Sequence, residues 1–428
     1  MQVNVGLLGL GTVGRGVYKI LTNHKDTIRK RTGVGINIKK ILVRDTAKNR
    51  GIEISPELLT DDVGEILNDG DIDVVVELMG GIRPALEYAI EALNSGKSVV
   101  TANKDMVAEH GEALFDAAEK GKSDLLFEAS VCGGIPIVRP LKRCLAANKI
   151  DELMGIINGT TNYMLTKMND EGSDFDEVLK EAQELGYAEA DPSADVDGFD
   201  AARKIAILAS VAFNTRINLN DVFVEGITDI STDDIAYAKE LNYTVKLLAI
   251  AKDLSEGIEI RVHPCFIPKD HPLASVNDVF NAVFVRGDAV GETMFYGRGA
   301  GEMPTASAVV SDIMETVRNI AGGVAGLNGC TCYDEKPVKH MDKSRCKYFI
   351  RMSVANRPGV LASIATVFGN HDVSLASVIQ KHSEGEKAEI VMVTYRVQEY
   401  NLKEALGKIK NLPVVEEIDS LIRVEGEE

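Results

Sequence analysis

Apolar residues along this chain first fall into short runs separated by helically spaced ones. Val3 to Leu8 has the length of a buried strand, Gly9-Leu-Gly11-Thr12-Val13-Gly14 follows, and Val17, Ile20 and Leu21 then recur at helical spacing. The alternation continues with a strand at Ile36 to Val43, a strand at Val74 to Glu77 and a helix from Pro84 to Gly96. It closes with a strand at Ser98 to Thr101, a helix ending near Gly121 and a strand at Leu125 to Glu128. Strands alternating with helices predict an α/β fold with a doubly wound parallel sheet. Ligands of such sheets sit at the carboxyl ends of the strands. Those ends carry Glu77-Leu-Met-Gly-Gly81, Thr101-Ala-Asn-Lys104 and Glu128-Ala-Ser-Val131.

The pattern changes near residue 150. Ile150 to Asn158 reads as a strand, Asn158-Gly-Thr-Thr-Asn162 as a polar turn, and a helix is expected from about Tyr163. Helices are expected onward to about Asp253, then strands at Ile258 to His263, Ala282 to Arg286 and Val290 to Tyr296. This predicts a second, α+β domain over 150–303. Gly297 to Gly301 makes a flexible turn, and Pro304 suits the first turn of a helix rich in Ala, Ser and Val. That helix, near 304–322, either packs closely on the first domain (1–149) or is an ordinary packed helix. Residues 323–346 read as a linker with glycines, Pro337 and several lysines. The remainder, 347–428, follows the order βαββαβ of a ferredoxin-like module. No catalytic grouping stands out in it, which points to binding or assembly.

Composition narrows the function. A net charge of −18 over 428 residues argues against a nucleic-acid partner, which needs clustered Lys and Arg. The one basic run, Lys25 to Lys40, reads as a helix end and loop. No apolar run is long enough for a membrane span, and the chain opens on a strand-like segment rather than a secretory signal. Six scattered cysteines without paired CxxC spacing predict free thiols in a reducing cytoplasm, and Cys330-Thr-Cys332 is too tight for a CxxC motif.

Candidate chemistry lies in two places. In the Gly9–Gly14 turn, Gly9 permits the bend, Gly11 lets backbone approach a pyrophosphate, and Gly14 allows the helix to pack on the strand. Free N–H groups at the helix start then bind the anion. Arg44-Asp45 ends the next strand; Arg suits the 2′-phosphate of NADP and Asp the ribose hydroxyls of NAD, so NADP(H) is favoured and NAD(H) stays open. The second place is Gly186 to Lys204, where Glu189, Asp191, Asp195, Asp197 and Asp200 precede Arg203 and Lys204. An EF-hand register fails, because it puts Lys204 where a bidentate Glu is required. Two readings remain, a solvated loop entering a capped helix, or acids converging on one amine, with Asp200 and Lys204 at i and i+4 on one helix face.

Gly9-Leu-Gly-Thr-Val-Gly14, Thr101-Ala-Asn-Lys104, Asn158-Gly-Thr-Thr-Asn162, the 186–204 stretch and Asn356-Arg-Pro-Gly-Val-Leu361 together resemble the homoserine dehydrogenases that carry a C-terminal ACT domain. The resemblance spans essentially the whole chain. It implies a Rossmann-type nucleotide domain, an α+β substrate and oligomerisation domain, and an ACT module. It also implies reduction of L-aspartate 4-semialdehyde to L-homoserine with NAD(P)H, on the way to threonine, methionine and isoleucine. By resemblance Lys204 donates the proton, Asp200 and Lys104 share the catalytic site, and Glu189 holds the substrate ammonium. Gly301 joins the glycine turn, Arg44 and Lys104 around the cofactor. Glu128 with the carbonyls of Val131, Gly133 and Ile135 is implied as a structural Na⁺ site, suited by its hard oxygen ligands. Asn356, Arg357, Pro358 and Gly359 are implied near an effector, with threonine expected, in a cytoplasmic homo-oligomer (dimer or tetramer). Two other functions compete: a reductase of another small amino-acid aldehyde or keto acid, and a non-catalytic amino-acid sensor.

Overall fold

The computed structural model describes residues 1–426 apart from Asn328, and only the backbone of 381–384. Packing divides it into two units. One comprises Met1–Asp151, Arg203–Leu219 and Phe280–Glu335; the other comprises Glu152–Ala202, Asn220–Val279 and Lys336–Glu428.

The first unit is built on six parallel strands, β1 (Gln2–Leu8), β2 (Gly35–Leu42), β3 (Leu59–Thr60), β4 (Val74–Glu77), β5 (Ser98–Thr101) and β6 (Leu125–Leu126). Their order is β3-β2-β1-β4-β5-β6, the Rossmann arrangement. Val3, Val5, Leu7, Val74 and Val76 are fully buried, as strands covered on both faces require. The order reverses between β1, paired to β2 through Leu7↔Ile41, and β4, paired through Leu7↔Val76. A nucleotide crevice opens at such a reversal. The basic run differs from its expected form: Lys25–Thr32 is a second helix with Ile28 buried, closed by Gly33 at φ +76°. β6 also stops early, so Glu128 opens a 3₁₀ turn, Glu128–Ser130, instead of ending a strand.

The helix Glu302–Gly322 lies flat on α1 (Thr12–Asn23). A side chain at Gly16 would meet Glu302 O at 2.7 Å and Ala306 Cβ at 2.8 Å. Ala306, Val309, Val310, Ile313 and Val317 join Val3, Val5 and Val17 in one core.

In the second unit, Tyr243–Leu254 is a strand where helix is expected. It pairs antiparallel with Gly257–Pro268 over its whole length, from Leu254↔Gly257 to Tyr243↔Pro268. Val245 to Ala251 are buried without a break, and a run buried on both faces has no period to separate strand from helix. The strand Ile150–Ile156 pairs with it through Glu152↔Lys252. The C-terminal module follows the expected βαββαβ order, from the strand Arg345–Ala355 to the strand Val415–Val424. That last strand continues the sheet by parallel pairing at Cys265↔Arg423 and Phe266↔Val424.

Candidate active site

The glycine turn sits where β1 meets α1. Gly9 has φ +107°, and a Cβ there would lie 2.7 Å from Leu78 O, so the turn and the neighbouring end of β4 exclude any side chain. Gly14 is required for a reason other than helix–strand packing: its Cβ would come within 2.4 Å of Gly9 O, inside the turn itself. Gly11 faces open space and caps α1 without a side chain, Thr12 is exposed, and Val13 packs on the core. The first N–H groups of α1 are therefore available to an anion. Gly9 N–H donates to Leu42 O at 3.1 Å, which brings the end of β2, and exposed Arg44 two residues on, beside the turn. Gly301, at φ +118°, caps the Glu302–Gly322 helix.

Lys104 opens the helix Lys104–Gly121, and a buried network fixes that opening. Thr101 Oγ1 donates to Glu77 Oε2 at 2.6 Å, and Met79 N–H donates to Oε1 at 2.8 Å. Asn103 N–H donates to Thr101 Oγ1 at 3.0 Å, its Nδ2 donates to Gly81 O at 2.6 Å, and its Oδ1 caps Met106 N–H at 3.1 Å. Burial pushes the Glu77 carboxyl above its ordinary value, against the hydrogen bonds from Thr101 and Met79. Beside Lys104, Asp105 Oδ1 lies 2.8 Å from Arg203 Nε, an ion pair without hydrogen-bond alignment. This pair joins the residue after Lys104 to the residue before Lys204, and both lysines are half-buried.

The polar stretch Asn158–Asn162 is the first turn of a helix, Gly159–Glu171, rather than a loop before one. Asn158 explains the difference. Its Oδ1 accepts from Thr161 N–H at 2.9 Å, an N-cap, while its Nδ2 donates to Asp195 Oδ1 at 2.6 Å and to Asp200 Oδ2 at 2.9 Å. Thr160 Oγ1 donates to Tyr187 O at 2.7 Å, so the same turn also holds the start of the acidic stretch. Asp200 lies in the first turn of the helix Phe199–Ala212 and is 4% exposed, which rules out a solvated cap for it. Its helix follows Gly198, at φ +86°, where a Cβ would press on Val224 and Val262 at 3.1 and 3.2 Å. Glu189 is exposed, with its backbone carbonyl held by Gln183 Nε2 at 3.0 Å. Asp191 is spent locally on Ser193. The acids therefore divide, with Asp195 and Asp200 gathered by Asn158 and Asp191 outside that group.

Glu128 is buried, and its carboxylate accepts from three backbone N–H groups: Ile137 at 2.6 Å, Val138 at 2.8 Å and Arg139 at 2.7 Å. A carboxylate offers about four acceptor positions, so one is left. Among the described residues, the backbone carbonyls of Val131, Gly133 and Ile135 carry no hydrogen bond. Cys132 and Gly133, at φ +54° and +47°, bend that loop. Among the described residues, no three His, Cys, Asp or Glu side chains gather as a metal site. In the C-terminal module, Asn356 Nδ2 donates to Gly385 O at 3.3 Å, and Gly359 caps the helix Val360–Gly369 without a side chain. Arg357 and Pro358 are exposed there. No helix is long and apolar enough to cross a membrane among the described residues.

In the sequence Asn158 reads only as part of a turn, and Asp105 carries no role. An Asn ahead of a helical run is a capping signal. Nothing in spacing, however, points to a carboxylate 42 positions away.

Known proteins give this geometry its context. Residues 9–128 match the family model "Homoserine dehydrogenase, NAD binding domain", 136–314 match "Homoserine dehydrogenase" and 348–414 match "ACT domain". The chain is 46% identical to a Bacillus subtilis homoserine dehydrogenase, covering 99% of this chain and 98% of that one. It is 48% identical to one from Synechocystis, covering 99% and 100%. A homoserine dehydrogenase crystal structure from Thiobacillus denitrificans superposes with a TM-score of 0.94 at 42% identity, covering 99% of this chain and 98% of the other. With family models over both of its first two regions and relatives aligned end to end, the chain belongs to the homoserine dehydrogenase family, with an NAD-binding domain and a C-terminal ACT domain.

Proposed function

We propose that this homoserine dehydrogenase reduces L-aspartate 4-semialdehyde to L-homoserine, with residues 1–149 holding the cofactor, 150–303 the substrate and 347–428 an effector. The observation that carries the reading is the buried Asn158–Asp200 hydrogen bond of 2.9 Å. It orients an acid on the helix that also bears Lys204, one turn further along the same face. The nicotinamide supplies hydride when bound. Lys204 gives its ammonium proton to the carbonyl oxygen as negative charge builds there, and stabilises that charge before transfer. Asp200 anchors the polar substrate, exposed Glu189 takes its ammonium group, and Lys104 faces cofactor and substrate. The Arg203–Asp105 pair supports a shared site for the two lysines.

NADP(H) is the preferred cofactor in this reading, with Arg44 on the 2′-phosphate and Gly301 completing the nucleotide contacts; NAD(H) is the lesser substrate. Support comes from the position of Arg44 beside the glycine turn. The carbonyls of Val131, Gly133 and Ile135, with the remaining acceptor position of Glu128, would hold Na⁺ as a structural ion. Asn356 to Gly359 would contact threonine as effector. The molecule works as a homo-oligomer, dimer or tetramer, for which the strand Gly291–Arg298 offers exposed Met294 and Tyr296. Six free cysteines suit the cytoplasm.

Following NADPH absorbance with L-aspartate 4-semialdehyde tests the central claim. Lys204→Ala is expected to lower kcat by at least several hundred-fold with NADPH binding retained, the scale of acid–base catalysis. Near-normal turnover would remove Lys204 from the reaction. Threonine added to the same assay should inhibit the full chain, and indifference to it would reject threonine as effector.

A further inference from the structure

Cys330-Thr-Cys332 looks incidental in the sequence but not in the structure. Cys330 is exposed, and its Sγ lies 3.8 Å from Arg216 Nη2 and 3.4 Å from the Cys332 backbone nitrogen, which donates to it. Lys142 Nζ donates to the Gly329 carbonyl at 3.2 Å. The Lys142 ammonium is seated over the Phe115 and Phe127 rings at 5.4 and 5.9 Å from their centroids. Cys330, Thr331 and Tyr333 line one cavity of about 480 Å³ together with Lys142, Arg139 and Arg143. Cys332 is placed by a second contact, its Sγ lying 3.7 Å from Ser210 O. The Cys332 N–H bond to Cys330 Sγ brings the two residues together, and Tyr333 N–H donates to Thr331 O at 3.1 Å just beyond them.

We infer that Cys330 and Cys332 form a peroxide-reactive thiol pair, with Cys330 the nucleophile and Cys332 the resolving thiol. Reactivity follows thiolate character and access. The Cys332 thiol, then its backbone N–H, Arg216 and Lys142 stabilise a thiolate at Cys330 and hold its pKa below the ordinary thiol value. The same contact pushes Cys332 upward, so the first proton leaves Cys330.

The chemistry balances. The Cys330 thiolate attacks one oxygen of hydrogen peroxide, the O–O bond breaks, hydroxide leaves, and the sulfur becomes a sulfenic acid. The Cys332 sulfur then attacks Cys330 Sγ, losing its proton as the S–O bond breaks and water departs. Two thiols and one peroxide give one disulfide and two waters. Residues two apart come within the Cα separation that a disulfide spans when the chain between them bends.

Cys144, the other exposed cysteine, is an internal reference. In the full-length reduced protein at neutral pH, iodoacetamide should label Cys330 at least about tenfold faster than Cys144, the scale of a raised thiolate fraction. Arg216→Met should slow Cys330 labelling and leave Cys144 unchanged. Limiting hydrogen peroxide should give a Cys330–Cys332 disulfide by peptide mapping, with loss of two hydrogens from the intact mass. Cys332→Ser should stop at a sulfenic acid captured by dimedone. Cys330→Ser should lose the rapid oxidation while its dehydrogenase turnover reports an intact fold. Equal labelling of Cys330 and Cys144 would overturn the proposal, as would peroxide converting Cys330 to sulfinic acid in the presence of Cys332.

Discussion

Asn158 tests whether the acidic stretch is organised for chemistry, because one side chain performs two separable tasks. Its oxygen caps the Gly159–Glu171 helix, and its amide nitrogen donates to Asp195 and Asp200. Asn158→Ser preserves a capping oxygen, but a hydroxyl is too short to reach both carboxylates. Asn158→Ala removes both functions. Loss of an N-cap costs about 1 kcal/mol. A hydrogen bond to a charged, buried partner such as Asp200 is worth about 1.5–3 kcal/mol, or roughly tenfold to a hundredfold in kcat/KM if Asp200 acts in the transition state. Urea unfolding should therefore show Asn158→Ala less stable than Asn158→Ser by about 1 kcal/mol. The NADPH assay should show both variants reduced by a similar factor within that tenfold to hundredfold range. Should Asn158→Ser keep kcat/KM within about twofold of the parent, the bond is not positioning Asp200 for the reaction.

Other consequences are open to measurement. Glu189→Ala should raise KM for the amino-acid substrate by about tenfold or more with kcat little changed, the pattern of lost uniform binding; an unaltered KM would reject the ammonium contact. Arg44→Ala should shift the ratio of kcat/KM for NADPH over NADH towards NADH, and an unchanged ratio would discount Arg44. Lys246 is buried, with its ammonium donating to Asn162 Oδ1 at 3.1 Å, Val276 O at 2.6 Å and Asn277 Oδ1 at 3.0 Å. Desolvation lowers it to about 8. Above that pH the folded protein releases this proton before the unfolded chain does, so the unfolded state binds more protons and stability rises with pH. Between about pH 8 and the lysine's ordinary 10.5 the gain from this group is up to roughly 3 kcal/mol. Urea midpoints across that window should rise in the parent protein relative to Lys246→Met, and parallel profiles would refute the assignment.

The parts legible in the sequence were those governed by local rules. The parallel sheet follows from apolar runs alternating with helical periods, and Gly9 and Gly14 mark a turn that admits no side chain. The βαββαβ tail was readable for the same reason. Legibility failed where burial is two-sided. Tyr243–Leu254 has Val245 to Ala251 buried without interruption, so it carries no period, and only its pairing with Gly257–Pro268 makes it a strand. The turn at Asn158 was misplaced because its helix begins with polar residues, whose role is capping rather than core formation.

The sequence by itself determined the two candidate inventories, a glycine turn before a helix and a cluster of acids before two cations, because residue type and spacing suffice to define them. Which acids gather was a tertiary decision. Asp195 and Asp200 became a pair, and Asp191 did not, because Asn158 Nδ2 reaches only the first two across a long stretch of chain. The same holds for Lys104 and Lys204, whose neighbours meet through Asp105 and Arg203, and for Cys330, which Arg216 approaches to 3.8 Å from far along the chain. Hydrogen bonds and charge pairs act over a few ångströms of space, whatever the separation along the chain.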